Sequence, residues 1–473
     1  MPQTAKTYLL FTLLAFLSLL PNLGEHEFKN EESLRTIVAY EMQQSGDYVQ
    51  PTYLGEEYYK KPPMYTWLTV LSANFTGWNE MASRIPSVVS YFLSCIFIFL
   101  FARALFRNNS MAAIASLVFA ISLDVIFFYG FVGEIDGTFS LAIFLVLASM
   151  VLAFEKRQYA WLLVAGFITS FAFMLKGFPA FMFFGLTLLT LFFYYRQFSL
   201  LKNPLLYVSC VLCLLLPAIW LLSTANPIAS FQTLFFESAN RTKESQDVLE
   251  LIKHLLLFPL HVFIKLLPGS LFLFLPLVYI WLKRESKILS ETTFSLEPII
   301  KVLIVVALIN FIPYWISAGA RGRYILPLLP FFSIIAAYVI YQFTSTEFKK
   351  RLLQTAAVII MLRFILGIAI IPLIMHQKGI EQSDKKVAFD IMSNVELKNK
   401  SVACNCTDKK AVCLYINIEQ DRVLKTVNQT SSDWEYLISC KKVEEHELLR
   451  SYERGKHHVF LYQKPDQPQN QPN

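Results

Sequence analysis

Five short stretches carry the residues able to do chemistry. "NEESLR" sets Glu31 beside Glu32, and "EEYYKKPPMYTW" holds Lys61 against two prolines with Tyr58 just upstream. "GEIDGTF" contains Asp136, "LKGFPA" contains Lys176, and "RGRYILPLLP" contains Arg321, Arg323 and Tyr324. Carboxylates accept protons and grouped cations hold anions, so these residue types suit acid–base work next to a charged substrate. Each also has a plainer reading. Glu31 and Glu32 fall in the first turn of a helix that Asn30 can cap, where the helix dipole favours anions. Arg35 can pair with Glu31 at i+4 or Glu32 at i+3. Lys60, Lys61, Lys176, Arg321 and Arg323 can meet lipid headgroups, and Asp136 can cap a helix. The prolines stiffen the backbone after Lys61, so its position is fixed.

The elements that must hold these residues are membrane helices. Of 473 residues, 55% are hydrophobic, 42 are Phe and 16% are charged. Soluble domains average roughly 25% charged. The apolar runs are continuous rather than alternating, which argues against a β-barrel. At about 20 apolar residues per span, the chain reads as an all-α polytopic membrane protein. Eleven spans are expected, near 7–23, 86–106, 111–131, 138–154, 160–175, 178–195, 204–222, 262–282, 299–318, 324–343 and 352–374. The first reads as a retained anchor, because no small-residue cleavage site follows it. Leu255–His261 reads as an interfacial piece.

Lys and Arg set the orientation. Arg103, Arg107, Lys156, Arg157, Arg196, Lys202, Lys283, Arg284, Lys287, Lys349, Lys350 and Arg351 all fall on one side if the spans alternate. That side, with the N-terminus, is assigned to the cytoplasm. Residues 24–85, the turns near Asp136, Lys176 and Arg321, the 223–254 loop and the tail then lie outside. The expected domains are 1–375, with 24–85 as its first outer loop, and a small soluble α/β domain at 376–473. In the outer loop, Leu34, Ile37, Val38 and Met42 share one helical face, and Met64, Trp67, Leu68 and Leu71 share another. Both helices are expected to lie along the membrane interface.

Four of the seven cysteines, Cys404, Cys406, Cys413 and Cys440, are in the tail. An even number outside the cytoplasm suits disulfides; a metal site is the alternative. "AVCLYINI" and "HVFLYQ" read as strands, and the final "PDQPQNQPN" as disordered. His254 and His261 have no partners at metal spacing. Asp124 carries no assigned role, and of Glu237 and Arg241, which follow the seventh expected span, only Arg241 is a further candidate.

Taken together, "NEESLRTIVAYEM", "SGDYVQPTYLGEEYYKKPPMYTWL" and "NEMASRIPSVVS" resemble the first outer loop of bacterial GT-C glycosyltransferases. That family contains the lipid A aminoarabinose transferase and the protein O-mannosyltransferase-like enzymes. "GEIDGTF", "LKGFPA" and "RGRYILPLLP" add to the resemblance, which covers most of residues 1–345. It implies the GT-C fold and an inverting transfer of a monosaccharide from a polyprenyl-phosphate donor. The acceptor would be a hydroxyl of lipid A, another glycan or a protein, at the periplasmic face of the inner membrane. The first carboxylate of the family's "DE" pair, its proposed base, falls on Glu31 and the second on Glu32; Asp136 matches a further acidic position. Here the family's Asp has become Glu. Tyr58 and Lys61 resemble the family's phosphate contacts, and Lys176, Arg321, Arg323 and Tyr324 can extend them. A glycosyl phosphate already has a good leaving group, so one base and phosphate partners suffice. No cofactor is required on this reading, although Glu31, Glu32 and Asp136 can in principle hold a divalent metal. The expected partners are the lipid-linked donor, the acceptor and membrane lipids, with no nucleic acid.

Two other classes compete. A lipid-linked glycan transporter or flippase would place its polar residues near the bilayer midplane, often with repeat symmetry. Here they gather at one face. An inactive transferase-like scaffold is the third possibility, raised by the Asp-to-Glu change.

Overall fold

The computed structural model describes residues 3–240, 248–284, 296–397, 399–406, 410–428, 434–444, 446–454 and 457–464. Arg241, Lys287 and the segment 465–473 lie outside them. The described chain forms two compact units: Met1–Pro21, Tyr59–Met64 and Ile85–Ile368 make the first, and Asn22–Tyr58, Tyr65–Arg84 and Ala369–Asn473 the second.

The first unit is helical. It contains α1 (Gln3–Leu17) and most of α4 (Glu80–Phe106), then α5 (Asn109–Ala120), α6 (Ile135–Glu155), α7 (Trp161–Lys176), α8 (Pro179–Tyr195) and α9 (Pro204–Ser223). These are followed by α10 (Pro227–Asn240), α11 (Val248–Lys265), α12 (Gly269–Arg284), α13 (Pro298–Trp315), α14 (Leu329–Phe343) and α15 (Thr346–Ile365). Its core is aliphatic and aromatic, centred on α6, whose residues from Phe139 to Phe154 are mostly buried.

Among the described residues, six helical stretches are long and apolar enough to cross a bilayer. A seventh is reached if the bent pair α11–α12, which turns by 106°, counts as one. α5, α7 and α8 are shorter apolar helices. Several expected bounds therefore change. The run 111–131 is not one helix: α5 stops at Ala120 and a π-turn covers Val125–Tyr129. The supposed 223–254 loop contains α10 and the start of α11, and Leu255–His261 lies within α11.

The second unit combines α2 (Asn30–Ser45), the hairpin β1 (Thr52–Tyr53) and β2 (Glu56–Glu57), and α3 (Met64–Thr76) with the tail. The tail contributes α16 (Ile371–Gln377), α17 (Asp384–Asn394), β3 (Val402–Asn405), α18 (Lys410–Glu419), β4 (Tyr436–Ser439), β5 (Glu447–Arg454) and β6 (His457–Gln463). The sheet order is β3-β4-β6-β5, with β3 and β4 parallel and the other pairs antiparallel. "AVCLYINI", expected as a strand, is helix α18. Its Ala411–Asn417 run is wholly buried, so continuous apolarity here reflects a helix covered all round. "HVFLYQ" is strand β6. Cys404 bonds Cys413 and Cys406 bonds Cys440, tying β3 to α18 and to the end of β4.

One core unites the outer-loop segments with the tail: Phe28, Ile37 and Leu54 pack with Val412, Ile416 and Leu461 among others. The Phe28 amide donates to the Tyr415 hydroxyl at 3.2 Å, and the Tyr40 hydroxyl to the Asn417 carbonyl at 3.0 Å. α2 is consequently buried from Glu32 to Met42. It is a core helix, not the expected interfacial one, because the tail covers the Ile37 side and Tyr58 packs on Leu34 and Val38. α3 differs, leaving Leu71 and Phe75 55% and 82% exposed.

Candidate active site

In the second unit, α2 begins at Asn30, and Lys29 rather than Asn30 stands at the cap position. Its first turn separates the two carboxylates, because consecutive helical residues point about 100° apart. Glu32 turns inward and is fully buried. It takes the Arg84 guanidinium on both oxygens, at 2.7 and 3.0 Å, the Ser83 hydroxyl at 3.2 Å and the Lys29 amide at 3.1 Å. Arg84 completes its set with the carbonyls of Leu23 and Glu27. Glu31 turns the other way, with its side chain 41% exposed, and meets Arg35 at 3.2 Å. Arg35 also donates to the Tyr58 hydroxyl at 2.8 Å, so Glu31, Arg35 and Tyr58 form a chain. Glu41, from "YEM", is buried and grips the β1–β2 hairpin through the Thr52 hydroxyl and the amides of Leu54 and Gly55. Burial pushes its carboxyl up, and those three donors offset only part of that rise.

The first unit brings the remaining candidates together. Lys176 ends α7, and Gly177 follows in the left-handed region at φ +84°, which lets the chain turn at once into α8. The Lys176 ammonium pairs with Asp136 in the first turn of α6 and sits 5.1 Å from both the Phe139 and Tyr324 ring centres. Arg323 meets Glu134 at 3.6 Å and lies against the Tyr324 ring. Lys61 meets Glu237 of α10 at 3.5 Å. A cavity of about 220 Å³ opens beside these pairs, with Lys61, Lys176, Tyr314 and Tyr324 on its wall and Phe139, Phe178 and Met182 among its apolar lining. Arg321 is exposed, and neither it nor Arg323 lines this cavity.

The candidates thus divide between the units. Glu31, Glu32 and Tyr58 share the second; Lys61, Asp136, Lys176, Arg321, Arg323 and Tyr324 share the first. Four partners escaped the sequence reading. Arg84 and Glu134 were visible only as parts of motifs, Glu237 only as a neighbour of Arg241, and Lys265, which meets Asp124 at 2.7 Å, not at all. An apolar run followed by a lone charge is the one signal that marks Lys265. Gly322 makes room for it: a Cβ there would lie 2.5 Å from the Lys265 Cε. No group of three or more His, Cys, Asp or Glu side chains suited to a metal occurs among the described residues.

Residues 60–222 match the family described as dolichyl-phosphate-mannose-protein mannosyltransferase. The undecaprenyl phosphate-alpha-4-amino-4-deoxy-L-arabinose arabinosyl transferase 2 of Proteus mirabilis is 27% identical over 341 residues, 68% of this chain and 57% of the relative. The corresponding transferase of Photorhabdus laumondii is 31% identical over 169 residues, 34% of this chain and 30% of that one. The chain thus spans 57% of the length of its Proteus relative. The crystal structure of ArnT from Cupriavidus metallidurans bound to undecaprenyl phosphate superposes with a TM-score of 0.72, covering 98% of both chains at 17% identity. That likeness establishes the fold. In fold and in sequence the chain is similar to the GT-C proteins of the lipid A aminoarabinose transferase type.

Proposed function

We propose that the protein is an inverting glycosyltransferase that moves a monosaccharide from a polyprenyl-phosphate donor to a hydroxyl acceptor. The observation that carries this reading is the cavity of the first unit, where two ammonium groups and two tyrosines border a largely apolar wall. A lipid phosphate needs that combination: cations for the head and hydrocarbon contact for the first isoprene units. The names of the relatives specify undecaprenyl-phosphate-linked aminoarabinose, and the same donor class fits here. The acceptor is lipid A, another glycan or a protein. Transport as a lipid-linked glycan flippase finds no comparable support among the relatives.

In the reaction, a base removes the proton from the acceptor hydroxyl, whose oxygen attacks the anomeric carbon as the bond to the phosphate oxygen breaks. Charge gathers on that leaving oxygen, where Lys61 and Lys176 strengthen their hold in the transition state. Glu31 is our candidate for the base. It is accessible and oriented by Arg35, whereas Glu32 is enclosed by Arg84 and acts by fixing the helix. Asp136 orients Lys176. Arg323 positions Tyr324, and Arg321 offers an exposed cation to headgroups. We further propose that the N-terminus is cytoplasmic and the second unit periplasmic. The test is transfer by purified protein in lipid nanodiscs from a synthetic undecaprenyl-phosphate sugar, read by mass spectrometry. Product formation that disappears with Lys61→Ala supports the reading. Full transfer by that variant, or none by the wild type with any such donor, overturns it.

A further inference from the structure

Each of three cations around the cavity already holds a carboxylate: Lys61 has Glu237, Lys176 has Asp136 and Arg323 has Glu134. The three pairs are not alike. Asp136 and Glu134 expose 7% and 10% of their side chains, on or beside the buried start of α6. Glu237 exposes 27%, and its partner Lys61 lines the cavity while Glu237 does not. Lys61 therefore stands between a carboxylate outside the cavity and the space within it. Glu237 rides on α10, which touches the cavity wall mainly through rings: Phe231 and Phe235 pack edge-on against Phe178 at 5.7 and 5.8 Å. The next residue, Ser238, lines the cavity.

Resting on the donor reading above, we propose that Glu237 is an anionic placeholder for the donor phosphate. With the cavity empty, it keeps the Lys61 ammonium neutralised and aimed. When a phosphate enters, its oxygens take over the ammonium and Glu237 is released towards water. The exchange is favourable for two reasons. The phosphate presents several oxygens to Lys61 and Lys176 together, and Glu237 loses little on reaching solvent because it is already partly hydrated. The same competition speeds departure of the spent polyprenyl phosphate, since Glu237 can reclaim Lys61 as the phosphate leaves. Glu237 is thus a positioning residue, acting on the donor through Lys61.

The test is equilibrium binding of undecaprenyl phosphate to the full-length protein in nanodiscs, for wild type, Glu237→Gln, Lys61→Gln and the double variant. Glu237→Gln should bind roughly threefold tighter or more, with lower kcat and lower KM in transfer. Lys61→Gln should bind more weakly, and adding Glu237→Gln to it should give no further gain. A Glu237→Asp control, keeping the charge, should resemble wild type. Unchanged or weaker binding by Glu237→Gln, while Lys61 still matters, overturns the placeholder and leaves the donor reading intact. The same gain with and without Lys61 also overturns it. Failure of the wild type to bind undecaprenyl phosphate overturns both.

Discussion

Glu31 keeps an oxygen within reach of solvent, and Arg35 holds the other end of its carboxylate. Glu31→Gln removes the proton acceptor and leaves the shape, so transfer should fall by roughly a hundredfold or more, with donor affinity little changed. Glu32→Gln should behave differently. It leaves Arg84, 2% exposed, without its counter-charge, at a cost of about 3–5 kcal/mol. Thermal unfolding should drop before any effect on chemistry can be read, and Arg84→Ala should drop it similarly. Apart from the family resemblance, residue type leaves the two glutamates equal. Only helical geometry, with Arg84 arriving 52 positions later, separates them. His26 supplies a pH signature. Burial lowers its pKa from 6.5 to about 4, helped by Lys29, Arg84 and Lys378 and opposed by its bond to the Glu27 carbonyl. Between those values the unfolded chain takes up the proton and the folded one does not. Stability should be full above pH 6.5 and decline as pH falls towards 4. His26→Gln should flatten that slope in a melting series.

Among elements, the motif-bearing turns were readable because proline, glycine and charge mark them locally. The "KPP" turn, the Lys176–Gly177 corner and the first turn of α6 all stand where the sequence indicates. α18 was misread because a buried helix and a buried strand share an unbroken apolar run. α10 was missed because "FFESANR" breaks its apolar periodicity with polar residues near the end. The tail sheet depends on its two bridges, which close loops of 9 and 34 residues. Removing Cys406 and Cys440 together by serine should cost about 2–4 kcal/mol. It should also make Val402–Asn405 exchange amide hydrogens faster, as mass-resolved exchange would show. Unchanged exchange would mean that the sheet holds without its staple.

For the molecule as a whole, hydropathy declared the membrane class at once, yet the bounds of several apolar helices were poorly readable. Short helices such as α5 and broken pairs such as α11–α12 hide inside runs that look continuous. If the second unit faces the periplasm, alkaline phosphatase fused after Lys464 should be active and a green fluorescent protein fused there dark. The reverse pattern would invert the topology. What one sequence could not reveal is that residues 22–58 and 65–84 share a unit with the tail, since such contacts leave no local trace.

That shared core sets an order on biosynthesis. Phe28 leaves the ribosome long before Tyr415, its hydrogen-bond partner 387 positions later, and every span between must pass the translocon first. Until then the helix bearing Glu31 has no finished surface to settle on, and pairing this distant is slow. A nascent chain arrested before α18 should therefore keep that helix open to protease, and the proposed activity should appear only once α18 has been translated.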